Sequence, residues 1–401
     1  MGTVEYKPYL VSWNITKRCN LSCPHCYIDA SQKSNNNEIT TEQAKTVIQS
    51  LSLLNKELML VFSGGEPMLR PDVYELVQCA SAKGFITVMG SNGTLLTQDK
   101  LNRLKSEGLM GVGISIDSTK PVRHDLFRGM DGAWNLSVKA LALAKEQGLE
   151  TQIDITLTDE NMGEIDDFVD FGVRYGARAV NFFFLVCTGR ASGARISAAN
   201  YDLALRRIAQ IMMTERRLMV RARCAPHIYR ILYENGFPLP EGTRGCMAGT
   251  SYMRIDPEGY VTPCPYMPLA VGNVRTDVLS DLWENDKNLQ LLRSGLYKGR
   301  CGTCEYSEVC GGCRARAFME YNDLLEDDTL CNYAPKNNGK VHLSETFPGS
   351  FVWDENARER IRKVPFFMKK VVVKIIEKKA QERGICRITS ELIDELKEKR
   401  C

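Results

Sequence analysis

The sequence predicts an α/β protein in which a partial (β/α)6 barrel is followed by a loop-rich, cysteine-rich module and a small helical C-terminal domain. Six short β-branched runs alternate with amphipathic helical patterns, a Gly-, Pro- and Cys-rich stretch follows them, and a basic segment closes the chain. At 401 residues the chain is long enough for two or three domains. The expected divisions are a barrel at 1–195, a helical connector at 196–243, a cysteine-rich module at 244–335 and a C-terminal domain at 350–401.

Six predicted strands form the barrel, because strands that alternate with helices pair in parallel within one sheet. They are 10–15, 58–63, 85–90, 111–116, 151–157 and 179–186. Their continuous apolar character favours a sheet that is buried on both faces. In the helical pattern 40–54, Thr40 and Gln43 predict a capping box. Functional groups are expected at the carboxyl ends of the strands, where such sheets place their active sites.

Composition and charge exclude several classes of function. The net charge of +3 argues against a general nucleic-acid-binding surface. No signal-peptide pattern or membrane-length apolar run is present, so we expect a cytoplasmic protein without a membrane partner. Because cytoplasmic thiols stay reduced, the 15 cysteines favour metal or redox chemistry over disulfides. Four isolated cysteines are expected to be incidental thiols: Cys79, Cys187, Cys386 and Cys401.

The first predicted strand leads directly into a C-x3-C-x2-C motif formed by Cys19, Cys23 and Cys26, followed by Tyr27. Three thiolates can hold a [4Fe–4S] cluster and leave one iron open to another ligand. An oxygen-sensitive cluster of this kind is our main hypothesis. A zinc site is the alternative, for which His25 could be proposed as a ligand, although no fourth ligand lies at zinc-knuckle spacing.

With this motif and its aromatic Tyr27, the chain resembles the radical S-adenosylmethionine (SAM) superfamily. A second mark of that superfamily, a GGEP motif after the second strand, reads Ser63-Gly64-Gly65-Glu66-Pro67 here. The resemblance implies a partial radical SAM barrel, a catalytic [4Fe–4S] cluster on the three cysteines, and SAM bound at its open iron. The residues it suggests for cofactor binding are Tyr27, Gly64, Gly65, Glu66, Asn92, Ser115 and Arg128.

These cofactor-binding candidates have separate physical reasons. Gly64 and Gly65 let the backbone approach the methionine amino group, and Glu66 adds a compensating charge. Ser115 and Arg128 are candidates for the carboxylate and ribose region of SAM. The alternative for Arg128 is a surface ion pair.

A second group of cysteines resembles the SPASM module, which carries auxiliary [4Fe–4S] clusters. Its pattern departs from the common one at Cys310 and Cys313, which are separated by two residues instead of three. The resemblance implies one auxiliary cluster on Cys301, Cys304, Cys310 and Cys331, and a second on Cys246, Cys264 and Cys313. Cys224 could be the missing ligand of the second, or that site could be open. A zinc ribbon over 301–331 is the alternative.

Three further stretches look most like the AdoMet-dependent haem synthases: 182–191, 243–249 and 310–317. This resemblance covers residues 8–335, and Tyr27 departs from it where many haem synthases have Arg. It implies a tetrapyrrole substrate, Fe-coproporphyrin III, whose two propionates are oxidatively decarboxylated to vinyl groups. An adenosyl radical would take a propionate β-hydrogen, and an auxiliary cluster would accept the remaining electron. A reduced flavodoxin- or ferredoxin-type protein is the expected electron donor.

Three other functions remain open at the level of sequence. Relatives of the haem synthases trim other side chains in haem d1 synthesis, and other SPASM enzymes modify peptides. Only nine residues precede the first predicted strand, so we expect no fused leader-binding domain. A non-catalytic iron–sulfur carrier is disfavoured, because GGEP and an open three-cysteine site serve SAM chemistry. Arg190 and Arg223 are candidate partners for substrate carboxylates.

The C-terminal segment resembles the small C-terminal domain of light-independent protochlorophyllide reductase, on residues that include Trp353, Ala357, Ile361 and Pro365. Between 358 and 379 it is strongly basic. One interpretation is a basic helix that covers a polycarboxylated macrocycle and pairs its propionates. The other is a helical docking tail with a solvated charged face.

Overall fold

The computed structural model describes residues 6–33, 37–193, 196–237, 239, 243–336, 339–341, 352–364, 366–383, 385 and 387–398. The chain divides into two units, Met1–Leu343 and Ser344–Cys401. The divisions expected near 195 and 243 therefore fall inside the first unit. Cys386, Cys401 and Pro365 lie outside the described residues.

The first unit is built on one sheet with the strand order β10-β9-β8-β1-β2-β3-β4-β5-β6-β7. Its strands are β1 Leu10–Thr16, β2 Met59–Gly64, β3 Ile86–Ser91, β4 Gly111–Ser115, β5 Glu150–Leu157, β6 Ala179–Phe184, β7 Met219–Arg223, β8 Tyr252–Ile255, β9 Tyr260–Thr262 and β10 Gly272–Asn273. Strands β1 to β8 pair in parallel, and the β9 and β10 pairings are antiparallel. All six predicted strands are confirmed as β1 to β6.

Helices connect the parallel strands and continue into the cysteine-rich region. They are α1 Thr41–Leu54, α2 Val73–Ala82, α3 Gln98–Ser106, α4 Pro121–Arg128, α5 Ala133–Glu146, α6 Ile165–Arg174, α7 Ala198–Thr214, α8 His227–Glu234, α9 Leu279–Asn285, α10 Lys287–Ser294, α11 Gly299–Thr303 and α12 Arg314–Tyr321. The predicted capping box is present, since Gln43 N donates to Thr40 Oγ1 at 3.3 Å and Thr40 N donates to Gln43 Oε1 at 3.0 Å.

The connector 196–243 contains a strand that we expected to be helical. Residues Met219–Arg223 form β7, which pairs in parallel with β6. The reason is an alternation of period two, in which Leu218 and Val220 enter the core while Arg221 and Arg223 occupy the opposite face. The pattern is short and lies between the helices α7 and α8, so the strand was not recognised in the sequence.

The two faces of the sheet differ more than the apolar strands suggested. Val11, Trp13 and Ile15 of β1 are fully buried in the core, whereas Ser12 and Asn14 alternate with them on the other face. The same alternation places polar side chains on the inner face of neighbouring strands. The inner face of β1 is polar but buried as well, with Asn14 fully buried, so the expected burial of both faces holds for this strand.

The second unit has a core of its own. Its elements are β11 Val352–Trp353, α13 Glu355–Arg362, α14 Phe366–Glu382, β12 Arg387–Ile388 and α15 Ser390–Glu398. Trp353, Ile361 and Ile388 are among its buried residues. Two of the basic residues pair within the unit, Arg360 with Asp394 and Arg362 with Glu355. In the described parts of the whole chain, every helix is too short or too polar to cross a lipid bilayer.

Candidate functional site

The loop that follows β1 brings Cys19, Cys23 and Cys26 together. Leu21 N donates to Cys19 Sγ at 3.4 Å, and Ala30 N donates to Cys26 Sγ at 3.3 Å. Burial, and then the nearby charges of Glu66 and the other two cysteines, raises the pKa of Cys19 to about 11. Without a bound cation the thiol is therefore protonated, and metal binding must displace that proton. Amide hydrogen bonds to cysteine sulfur are among the features that set the reduction potential of an iron–sulfur cluster.

The loop after β6 fixes the cysteine loop from the opposite side. Arg190 donates to Cys23 O at 3.1 Å and to Ala30 O at 2.7 Å, and it pairs with Asp29 at 2.7 Å. Its guanidinium is thus committed to the loop, which argues against the suggested role of Arg190 as a partner of substrate carboxylates.

The GGEP turn packs directly under the cysteine loop. Gly64 has a φ of +139°, and a Cβ there would lie 2.4 Å from Thr16 O. A Cβ on Gly65 would lie 2.1 Å from Arg18 O and 3.0 Å from Cys19 Cβ. Both glycines are therefore required by contact with the segment that leads into the cysteines. Any role in SAM binding comes in addition to this packing.

A Gly65→Ala substitution should lower the free energy of unfolding of the first unit by about 1–3 kcal/mol, the usual cost of overpacking. It should also lower iron incorporation, because the displaced backbone carries Cys19. Gly163→Ala is the matched control, since a Cβ at Gly163 meets nothing within 4 Å. Thermal unfolding and iron analysis of both variants check this prediction, and equal behaviour of the two would contradict it.

Glu66 holds the GGEP turn to the end of β3. Its buried carboxylate accepts hydrogen bonds from Ser91 Oγ at 3.0 Å, Asn92 N at 2.9 Å and Met68 N at 3.2 Å. Burial raises the pKa of Glu66. Asn92 in turn directs its amide towards Cys19 Sγ at 3.9 Å. The predicted residues Glu66 and Asn92 therefore meet beside the first cysteine of the motif.

Arg128 forms an ion pair, but a buried one, which corrects the surface alternative. Its guanidinium pairs with Asp117, which follows β4, and approaches Cys23 Sγ at 3.8 Å. Burial alone would raise the pKa of Asp117, but the Arg128 charge lowers that pKa overall. Ser115 lies at the end of β4 in register with Asp154 of β5. The sequence analysis assigned no role to Asp117.

Tyr27 links the cysteine loop to the second half of the chain. Its hydroxyl accepts a hydrogen bond from Asn14 Nδ2 at 2.8 Å, and its ring lies 5.1 Å from that of Tyr266 between centroids. The Arg254 guanidinium stands 6.0 Å from the Tyr27 ring. Asn14, Arg254 and Tyr266 were missed by the sequence analysis. The polar period-two pattern of β1 was the available signal for Asn14.

A cavity with an empty volume of about 410 Å³ is lined by all four cysteines of the first expected auxiliary site. These are Cys301, Cys304, Cys310 and Cys331. Burial, with Cys331 and Cys301 among its neighbours, raises the pKa of Cys304 to about 11. Arg314 Nη2 lies 3.7 Å from Cys301 Sγ. A shared cavity, four thiols and a cationic donor to sulfur fit an iron–sulfur cluster.

The other cysteine set contains Cys224. Burial, and then the proximity of Cys246, Cys313 and Cys224, raises the pKa of Cys264 well above its usual value. Burial also raises the pKa of Cys313 to about 11. Cys224 has a left-handed backbone with a φ of 55°. The structure therefore brings four cysteines together here, where the sequence motif supplied three.

A buried ion pair holds this arrangement. Arg316 pairs with Asp328 at 2.7 Å and donates to Cys224 O at 2.8 Å. Asp328 also accepts a hydrogen bond from Cys313 N at 2.7 Å. The pair thus connects Cys224 to Cys313, although 88 residues separate them in the chain. Nothing in the sequence indicated this role of Arg316 and Asp328, apart from the position of Arg316 in the stretch that follows Cys313.

If Cys224 is a ligand, Cys224→Ala should lower the iron content of the reconstituted protein by about one to four atoms per chain, because a cluster that loses a thiolate loses an iron or fails to assemble. Cys79→Ala is the matched control, since Cys79 lies on α2 away from both sets. Iron and sulfide analysis with electron paramagnetic resonance checks this prediction. Iron content and spectra equal to those of the wild type would leave the site with three cysteine ligands.

A second cavity, with an empty volume of about 660 Å³, opens beside Tyr27. Lys17, Arg254 and Pro265 are among its lining residues. The lining residues Tyr27 and Pro265 each directly follow a cysteine of the two sets, Cys26 and Cys264 respectively.

The chain matches three protein families along its length. Residues 13–172 match the radical SAM superfamily, 246–314 the SPASM iron–sulfur cluster-binding domain, and 353–397 the proto-chlorophyllide reductase 57 kD subunit.

Curated relatives and solved structures extend these matches. An AdoMet-dependent heme synthase of Nitratidesulfovibrio vulgaris is 37% identical over 82% of this chain and 93% of its own length. Another from Methanosarcina barkeri is 35% identical over 82% of this chain and 97% of its own length. The crystal structure of Streptococcus suis SuiB bound to S-adenosylmethionine superposes with a TM-score of 0.68 at 17% identity, covering 82% of this chain and 78% of SuiB.

Proposed function

We propose a function from the premise that this chain belongs to the radical SAM superfamily and carries a SPASM iron–sulfur cluster-binding domain. The proposed reaction is the oxidative decarboxylation of two propionates of Fe-coproporphyrin III to vinyl groups, which gives haem b. The observation that carries this proposal is the similarity to AdoMet-dependent heme synthases over nearly their whole length. The family matches also favour iron–sulfur clusters over zinc in both cysteine regions.

The cysteines divide into three cluster sites in this proposal. Cys19, Cys23 and Cys26 would hold a [4Fe–4S] cluster, which would supply the electron for reductive cleavage of SAM to methionine and a 5′-deoxyadenosyl radical. Two auxiliary clusters complete the set. Their ligands would be Cys301, Cys304, Cys310 and Cys331 for one, and Cys224, Cys246, Cys264 and Cys313 for the other.

Residues of the protein hold the parts of this site in place. Glu66 fixes the GGEP turn, Asn92 approaches Cys19, and the Arg128–Asp117 pair stands beside Cys23. We assign SAM to this region because Gly64, Gly65 and Ser115 lie at the same carboxyl edge of the sheet. Their contacts with SAM remain part of the proposal.

The substrate region lies between two of these cluster sites. The contact between Tyr27 and Tyr266 joins the first cysteine loop to the segment after Cys264. The cavity beside Tyr27 offers Lys17 and Arg254 as cations for propionates. A reduced flavodoxin or ferredoxin is the proposed electron donor.

The direct test is anaerobic incubation of the reconstituted protein with SAM, dithionite and Fe-coproporphyrin III, followed by mass spectrometry. Loss of two CO2 molecules from the porphyrin is expected, together with formation of 5′-deoxyadenosine. A reaction without SAM and one with the metal-free protein are the controls. Formation of 5′-deoxyadenosine without any change in the porphyrin would favour the haem d1-type or peptide-modifying alternatives.

A further inference from the structure

Two arginines lie next to each other on the inner face of β7. Arg221 and Arg223 are two residues apart in the strand, so their side chains project from the same face. Val220, which directly precedes Arg221, projects into the core instead, as does Leu218. Strand β7 is the edge of the sheet and pairs with β6. The two guanidinium groups therefore border the open side of the partial barrel.

The pair carries two positive charges and has one nearby carboxylate among the described residues. In the part of the chain that the structure describes, Arg221 donates to Met219 Sδ at 3.2 Å, and neither guanidinium forms an ion pair with a carboxylate. Asp154 is the acidic residue that interacts with both, and its carboxylate accepts a hydrogen bond from Asn181 at 2.7 Å. Burial raises the pKa of Asp154.

Burial makes this excess of positive charge costly. Desolvation, and then the charge of Arg223, lowers the pKa of Arg221 to about 10. Arg178, which pairs with Glu150, adds a further positive charge, and the Tyr229 hydroxyl is also nearby. Two adjacent arginines in such surroundings are stabilised when an anion joins them. A carboxylate is the anion whose geometry an arginine matches with two parallel hydrogen bonds.

The location of the pair indicates which molecule supplies that carboxylate. Arg223 directly precedes Cys224, which lies with Cys246, Cys264 and Cys313. On β6, Phe183 is the register partner of Arg223 and offers an aromatic surface beside the two cations. Cations next to an aromatic ring suit a flat macrocycle that carries acidic side chains.

We propose that Arg221 and Arg223 form a carboxylate-binding subsite that holds a propionate of the tetrapyrrole next to the cysteine set containing Cys224. This inference rests on the proposed function. It adds two residues that select substrates by the carboxylates that those substrates carry. Arg223 was already a candidate from the sequence. Arg221 joins it only because β7 is a strand.

The test measures equilibrium binding of two probes, Fe-coproporphyrin III and its tetramethyl ester, by the change in Soret absorbance of the reconstituted protein. The Arg221→Gln/Arg223→Gln variant should bind the tetra-acid about tenfold or more weakly, whereas binding of the ester should be unchanged. Arg217→Gln is the matched control, because Arg217 is exposed and pairs with Glu215 and Asp170. It should bind both probes like the wild type.

Circular dichroism and iron content establish that the double variant is folded. If the double variant does not fold, the single Arg223→Gln and Arg223→Lys variants replace it in the test. Arg223→Gln should lose affinity for the tetra-acid, and Arg223→Lys should retain part of that affinity. Unchanged affinity of a folded Gln variant for the tetra-acid would overturn the subsite, as would an equal loss for the ester. If the wild type binds Fe-coproporphyrin III without converting it, the proposed function fails while the binding comparison still judges the subsite.

Discussion

Replacing Cys19, Cys23 and Cys26 together by alanine should reduce 5′-deoxyadenosine formation to the background of the assay. The three thiols project from one loop, with donors to sulfur from Leu21 N and Ala30 N, and the motif contains no other thiol. A protein without them has nothing to hold the cluster that cleaves SAM. Liquid chromatography with mass detection of 5′-deoxyadenosine measures this effect.

The auxiliary sites should survive that triple substitution. Their cysteines belong to separate loops, so iron should fall from about twelve to about eight atoms per chain. The Cys79→Ala variant is the control and should keep both the iron and the activity. Continued SAM cleavage by the triple variant would contradict the central assignment, and loss of all iron would contradict three independent sites.

Replacing Cys313 by alanine should separate SAM cleavage from product formation. Cys313 lies with Cys224, Cys246 and Cys264 and does not belong to the loop of Cys19, Cys23 and Cys26. The folded variant should still form 5′-deoxyadenosine, while vinyl product falls by about tenfold or more because a tunable cluster that accepts the substrate electron is impaired. Parallel measurement of 5′-deoxyadenosine and porphyrin products gives the ratio.

The competing account of Cys313 is a purely structural role. Metal sites in loop-rich segments contribute folding energy, and a structural loss would lower stability and both products together. Asp328 accepts a hydrogen bond from the backbone of Cys313, which is unaffected by the side-chain change. Equal loss of 5′-deoxyadenosine and vinyl product in a folded variant would remove the electron-acceptor role.

The parts of the fold that depend on local pattern were predictable from the sequence. Strands β1 to β6 follow from β-branched runs between helical patterns, and the capping box at Thr40 follows from spacing alone. The cysteines of the first motif and the GGEP turn are each contiguous in sequence, so their fixed spacing carries the signal. Glu66 was identified in this way, although its partners Ser91 and Asn92 became apparent only in the structure.

Features built by distant residues were at most open alternatives in the sequence. The sequence offered Cys224 as one of two alternatives for the second auxiliary site, and its connection to Cys313 through the Arg316–Asp328 pair appears only in the structure. Likewise, Arg128 is buried because Asp117 lies opposite it. Strand β7 was missed because five residues between two helices carry little periodic signal. These contacts depend on how the elements pack, which spacing along the chain does not encode.

The most direct test of the central claim uses Fe-coproporphyrin III deuterated at the propionate β-carbons. Under anaerobic conditions with SAM and dithionite, the protein should transfer deuterium into 5′-deoxyadenosine while the porphyrin loses CO2 and gains vinyl groups. This result would show that the radical formed at the Cys19–Cys23–Cys26 site acts on the propionate. Unlabelled 5′-deoxyadenosine, formed with the porphyrin unchanged, would contradict the account.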